Sequence, residues 1–134
     1  MLENKKRILV IDDDDNVCRI VREGFESVGY QVLTANNADE GLQKTVQGKP
    51  QCVLLDIKMP KGTEGLTCLR NIRSFIHKDP QEQSRIRETP VIILTGTGTS
   101  MQTAFEMEGV SGFFEKPFNL THLQSKIEDV LKLR

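Results

Sequence analysis

The chain has 134 residues, with 18 Lys and Arg against 19 Asp and Glu and a formal net charge of −1. That is the length of a single domain, and a chain of this size buries roughly two thirds of its unfolded surface without needing staples. Hydrophobic residues at 37% and charged residues at 28% exclude disorder, and the balanced charge excludes a surface built to coat nucleic acid.

Five short apolar runs alternate with amphipathic stretches. Ile8-Leu9-Val10-Ile11 is β-branched and continuous, the pattern of a strand covered on both faces, and it stops at a run of aspartates. Val17, Ile20, Val21, Gly24, Phe25 and Val28 follow at helical spacing, with Gly29 as the stop. Gln31–Ala35 reads as an edge strand, because Gln31 and Thr34 interrupt it. Asn37-x-x-Glu40 resembles a capping box for a helix turning Ala38, Leu42, Thr45 and Val46 inward, closed by Gly48 and Pro50.

Cys52-Val53-Leu54-Leu55 is a buried strand ending at Asp56, and Leu66, Leu69, Ile72 and Ile76 mark a third helix. The polar stretch His77–Thr89 is either an extension of that helix or a long exposed loop. Val91–Leu94 is the fourth strand, ending at Thr95. Met101, Ala104, Phe105 and Met107 give a short fourth helix, and Gly112–Glu115 a fifth strand ending at Lys116-Pro117. Asn119 caps a last helix carrying Leu120, Leu123, Ile127, Val130 and Leu131 on one face. Such βα alternation implies a parallel sheet between helical layers.

Cys18, Cys52 and Cys68 are scattered, with no C-x-x-C pair, so they read as small core residues rather than a disulfide framework or a zinc site. Lys5-Lys6-Arg7 lead into no signal-type apolar segment, and no apolar run approaches a membrane span. The expected location is cytoplasmic.

Ligands of open α/β sheets bind beyond the carboxyl ends of the strands. Four of the five strands end there on residues suited to phosphoryl chemistry: Asp12-Asp13, Asp56, Thr95 and Lys116. Three clustered carboxylates are costly without a cation, and hard oxygen ligands in that number suit Mg²⁺. A carboxylate can also be the nucleophile that forms an aspartyl phosphate. Lys116 adds positive charge, Thr95 a hydroxyl, and Gly96 a backbone N–H that a phosphoryl oxygen can approach closely.

Together Ile8–Asp13, Leu54-Leu55-Asp56-Ile57-Lys58-Met59-Pro60, Ile93-Leu94-Thr95-Gly96 and Phe113-Phe114-Glu115-Lys116-Pro117-Phe118 resemble the receiver domain of two-component response regulators. The resemblance covers essentially the whole chain, 1–134 with a core of about 6–133. It implies a three-layer (βα)₅ doubly wound, flavodoxin-like sheet of order 2-1-3-4-5.

The same resemblance implies that Asp56 takes a phosphoryl group from a sensor histidine kinase or phosphotransfer protein. Asp12, Asp13, Asp56 and the backbone carbonyl of Lys58 would hold Mg²⁺, and Lys116 would bridge to the phosphoryl group. Backbone contacts to that group are assigned to Lys58 and Gly96. Thr95 and Phe113 would act as the switch, Phe113 without a hydroxyl, and the face of the fourth helix, fifth strand and fifth helix would pass the signal to an effector or a second copy. Lys58 and Thr97 occupy positions that tune phosphoryl lifetime. A cis bond is expected at Lys116–Pro117. No turnover enzyme, direct nucleic-acid contact or membrane contact is implied.

Two departures stand out. The loop Lys61-Gly62-Thr63 before Glu64-Gly65 is one residue longer than the family's, and His77–Thr89 is also long. Asp14, Asp15 and Asn16 read as a solvated helix start. An EF-hand is excluded by Val17 at the position where glycine is required, and a dinucleotide site by the aspartates after the first strand. Two alternatives are a degenerate receiver serving only as an interaction module and a haloacid-dehalogenase-type phosphatase. The second lacks the later acidic pair on a loop.

Overall fold

The computed structural model describes residues 6–57, 64–96 and 109–132. In chain order these form β1 (Arg7–Ile11), α1 (Asp15–Glu26), β2 (Gln31–Ala35), α2 (Ala38–Gly48), β3 (Cys52–Asp56), α3 (Glu64–Arg73), α4 (Pro80–Arg87), β4 (Val91–Thr95), β5 (Gly112–Glu115) and α5 (Leu120–Lys132). The five strands are parallel in the order β2-β1-β3-β4-β5, so β2 lies at an edge as its interrupted pattern suggested.

Alternation along each strand sends side chains to opposite faces and makes two cores. Ile8, Val10, Leu54, Ile92 and Leu94 meet α1 and α5 through Cys18, Val21, Phe25, Leu123, Ile127 and Val130. Leu9, Ile11, Val53, Leu55 and Ile93 face the opposite layer, with Ala38, Cys68, Leu69 and Ile72. All three cysteines are buried.

Several helical expectations need correction. His77–Thr89 is neither an extension nor a loop: Asp79 accepts from the Gln81 N–H as N-cap, Pro80 opens α4, and the fully buried Ile86 anchors it. Three arginines fasten this short helix to backbone carbonyls. Arg73 donates to Arg87 and Thr89 at 2.9 and 2.7 Å, Arg85 to Val46 at 2.9 Å, and Arg87 to Phe75 at 2.7 Å.

Helix α3 stops at Arg73, and Ile76 lies beyond it, 80% exposed. On α1 the inward stripe is Cys18, Val21 and Phe25, while Ile20 is about half exposed because the expected stripe is wider than one helix face can bury; Val28, also about half exposed, lies past the end of the helix at Glu26. At α2 the capping box is displaced by one residue. Asn37 accepts from the Glu40 N–H, but Glu40 accepts from the N–H of Asn36 rather than that of Asn37. The expected helix at Met101–Met107 lies outside the described residues.

Candidate phosphoryl site

The site is assembled at one rim by strand ends. Asp12 follows β1, Asp56 closes β3, Thr95 closes β4 and Lys116 follows β5. Parallel pairing fixes their mutual height: Asp56 lies opposite Leu94, the Ile57 N–H donates to the Leu94 carbonyl, and the Lys116 N–H donates to the Thr95 carbonyl at 2.9 Å. Asp12, Asp56 and Thr95 are buried, whereas Asp13 and Gly96 are exposed.

The Lys116 Nζ donates to Asp12 Oδ2 at 2.7 Å and lies 3.4 Å from Asp56 Oδ1, so one ammonium straddles two buried carboxylates. Asp12 Oδ1 accepts from the Asp14 N–H at 2.9 Å. Burial lifts the Asp12 carboxyl above its ordinary range and the neighbouring Asp56 charge adds to this, against hydrogen bonds from Lys116 and Asp14. Burial also disfavours the Lys116 ammonium, but its bond to Asp12 and the charges of Asp12 and Asp56 prevail and hold it above the usual lysine range.

One oxygen each from Asp12, Asp13 and Asp56 lies within 4.8 Å of the others. Oxygens sharing one Mg²⁺ at about 2.1 Å stand roughly 3–4 Å apart, so small side-chain rotations bring these three onto one ion. Three carboxylates against a single lysine leave a negative excess partly shielded from water, and a hard divalent cation fits that donor set.

Phe113 is half-buried in β5 opposite Ile93 and packs on the α2–α3 side of the sheet. The Lys116–Pro117 bond is cis. Asp14 is the N-cap of α1, accepting from the Asn16 N–H. Lys58, Thr97 and the lengthened Lys61–Thr63 loop lie outside the described residues.

Sequence reasoning passed over two residues. The second strand also ends on a polar residue at this rim, Asn36, whose amide donates to Asp15 Oδ1 at 2.8 Å and to the Asp12 carbonyl at 3.4 Å. Gly65 packs in the first turn of α3 directly against the Asp56–Ile57 backbone. The strand-end rule could have found the first; the Glu64-Gly65 pair marks the second's place in the chain but not its contact with the Asp56–Ile57 backbone.

The family profile described as "Response regulator receiver domain" matches residues 8–128. The chain is 32% identical to a probable transcriptional regulator, ycf27, of Guillardia theta, over 98% of this chain and 47% of that protein. It is 26% identical to the alkaline phosphatase synthesis transcriptional regulatory protein PhoP of Bacillus subtilis, over 95% of this chain and 49% of that protein. It thus spans about half the length of these curated relatives. Among solved structures, a CheY-like receiver domain protein of Methanospirillum hungatei superposes with a TM-score of 0.78 at 29% identity, covering 96% of this chain and 95% of that one. Chemotaxis regulator CheY4 of Vibrio cholerae gives 0.80 at 26% identity, covering 95% and 99%.

Proposed function

As the chain belongs to the response regulator receiver family, we propose that Asp56 accepts a phosphoryl group from a phosphohistidine of a sensor histidine kinase or phosphotransfer protein. The observation that carries this reading is the ammonium of Lys116 set between Asp12 and Asp56, with Asp13 on the open side. In the transfer an Asp56 oxygen forms the new O–P bond while the donor's N–P bond breaks, and the electron pair returns to the imidazole. Lys116 balances charge on the phosphoryl oxygens, and the Thr95 hydroxyl and the N–H groups of Lys58 and Gly96 donate to them.

Asp12, Asp13, Asp56 and the Lys58 carbonyl would hold Mg²⁺, which when bound would neutralise phosphoryl oxygen charge. The acyl phosphate is formed and slowly hydrolysed on the domain itself, so the chain is a signalling acceptor and not a turnover enzyme. Drawing Thr95 toward the phosphoryl group, with Phe113 repacking, shifts a two-state equilibrium in the segment after Gly96 and changes affinity for an effector or a second copy. The domain spans 1–134 with its core at about 6–133, and acts in the cytoplasm without direct contact with nucleic acid or membrane.

Intact-mass analysis after incubation with acetyl phosphate and MgCl₂ tests the reading. One added phosphoryl group is expected, absent from Asp56→Asn and from a chelated sample. No adduct on folded protein would leave a bare interaction module, and sustained phosphate release would indicate a phosphatase.

A further inference from the structure

We propose that Asn36, just beyond the edge strand β2, is a positioning residue that sets the Asp13 carboxylate for cation binding. The inference rests on the metal-assisted receiver reading above. The three carboxylates are not held alike. Asp12 is fixed by its strand, by Lys116 and by the Asp14 N–H, and Asp56 by β3 and Lys116. Asp13 is exposed, and among the described residues its carboxylate accepts no hydrogen bond, so its place depends on the path of the loop between β1 and α1.

Asn36 clamps that loop on both sides of Asp13. Its amide donates to the Asp12 carbonyl at 3.4 Å, where the loop begins, and to Asp15 Oδ1 at 2.8 Å, where α1 begins. The clamp is itself anchored, because the Asn36 N–H donates to Glu40 Oε1 at 2.7 Å, and the Glu40 N–H donates to Asn37 Oδ1 at 2.8 Å. A neutral donor is the suitable type here: it spans two acceptors with its two N–H bonds and brings no positive charge to compete with the cation. Residues that orient metal ligands from behind typically matter by roughly tenfold or more in affinity.

Calorimetric titration of the metal-free protein with MgCl₂ tests this in wild type, Asn36→Ala, Asp15→Ala and the double variant, with metal-free melting temperatures measured alongside. Asn36→Ala is expected to weaken Mg²⁺ binding about tenfold while melting close to wild type. The double variant is expected to bind about as Asp15→Ala does, since the same clamp is lost from either end and the charge lost with Asp15 cancels in the cycle. Wild-type affinity in Asn36→Ala, or losses that simply add, would overturn the positioning role with the receiver reading intact. No Mg²⁺ binding by wild type would overturn both. If Asn36→Ala does not fold, Asn36→Ser, too short to reach Asp15, is held to the same outcomes.

Discussion

A methyl group placed on Gly65 would stand 2.8 Å from the backbone oxygen of Asp56 and 2.6 Å from the Cα of Ile57. Both neighbours are backbone, at the end of a fully buried strand, so neither can move aside cheaply. Gly65→Ala is expected to push α3 off β3 and to cost about 1–3 kcal/mol in chemical denaturation. Because the strain falls on the residue bearing the acceptor carboxylate, acetyl phosphate labelling is expected to slow as well. Unchanged stability would mean that α3 accommodates the methyl without disturbing Asp56.

Asp12→Asn is expected to raise the melting temperature of the metal-free protein at neutral pH. The Asp12 carboxyl is held above its ordinary range by burial and by the Asp56 charge, so the folded state binds that proton more tightly than the unfolded chain does. The stability this gives is fully present below about pH 3.8, the ordinary value, and is lost as pH rises through the folded-state value. Melting curves across acid pH are expected to show wild type falling relative to Asp12→Asn over that window, and Mg²⁺ to stabilise only wild type. An Asp12→Asn protein that melts lower at pH 7 would contradict this.

Cys18 is buried, and its Sγ–H donates to the Asp12 carbonyl at 3.4 Å. Burial pushes its thiol up from 9.0 to about 11, with the Asp12 and Asp15 charges adding to the effect. The folded protein is therefore expected to resist thiol reagents at pH 8 and to react once unfolded. The linked stability is full below pH 9.0 and is lost as pH rises through about 11. Cys18→Ser should blunt that alkaline loss, which pH-dependent denaturation would reveal.

The Tyr30 hydroxyl is buried with no hydrogen-bond partner among the described residues, while its ring meets Phe25 edge-on at 5.2 Å. Removing an unsatisfied hydroxyl and keeping the ring should be favourable. Tyr30→Phe is expected to stabilise the fold by about 1 kcal/mol in urea denaturation. A loss of stability would reveal a partner for that oxygen.

The strands were legible because β1, β3 and β4 are buried on both faces and so read as continuous apolar runs. Asp12, Asp56, Thr95 and Lys116 were legible because a parallel sheet gathers its strand ends on one rim. Helix α4 was not, since Ile86 is its one buried apolar anchor and the Asp79-Pro80 start signal sits inside a polar stretch. Ile20 misled because helical spacing shows a stripe but not how much of it a neighbour covers, and Val28 because the helix stops at Glu26, before reaching it. Asn36 stands out only once β2 sets it beside the acidic loop. Gly65 gives no sign of its role until α3 is laid on the end of β3.

The most direct test of the central claim is to locate the phosphoryl group. Protein treated with acetyl phosphate and MgCl₂ is reduced with borohydride, which converts an aspartyl phosphate to homoserine, and is then mapped by peptide mass spectrometry. Homoserine at position 56, with Asp12 and Asp13 intact, is the expected result. Reduction at Asp12 or Asp13 with Asp56 unmodified would contradict the assignment of Asp56 as the acceptor.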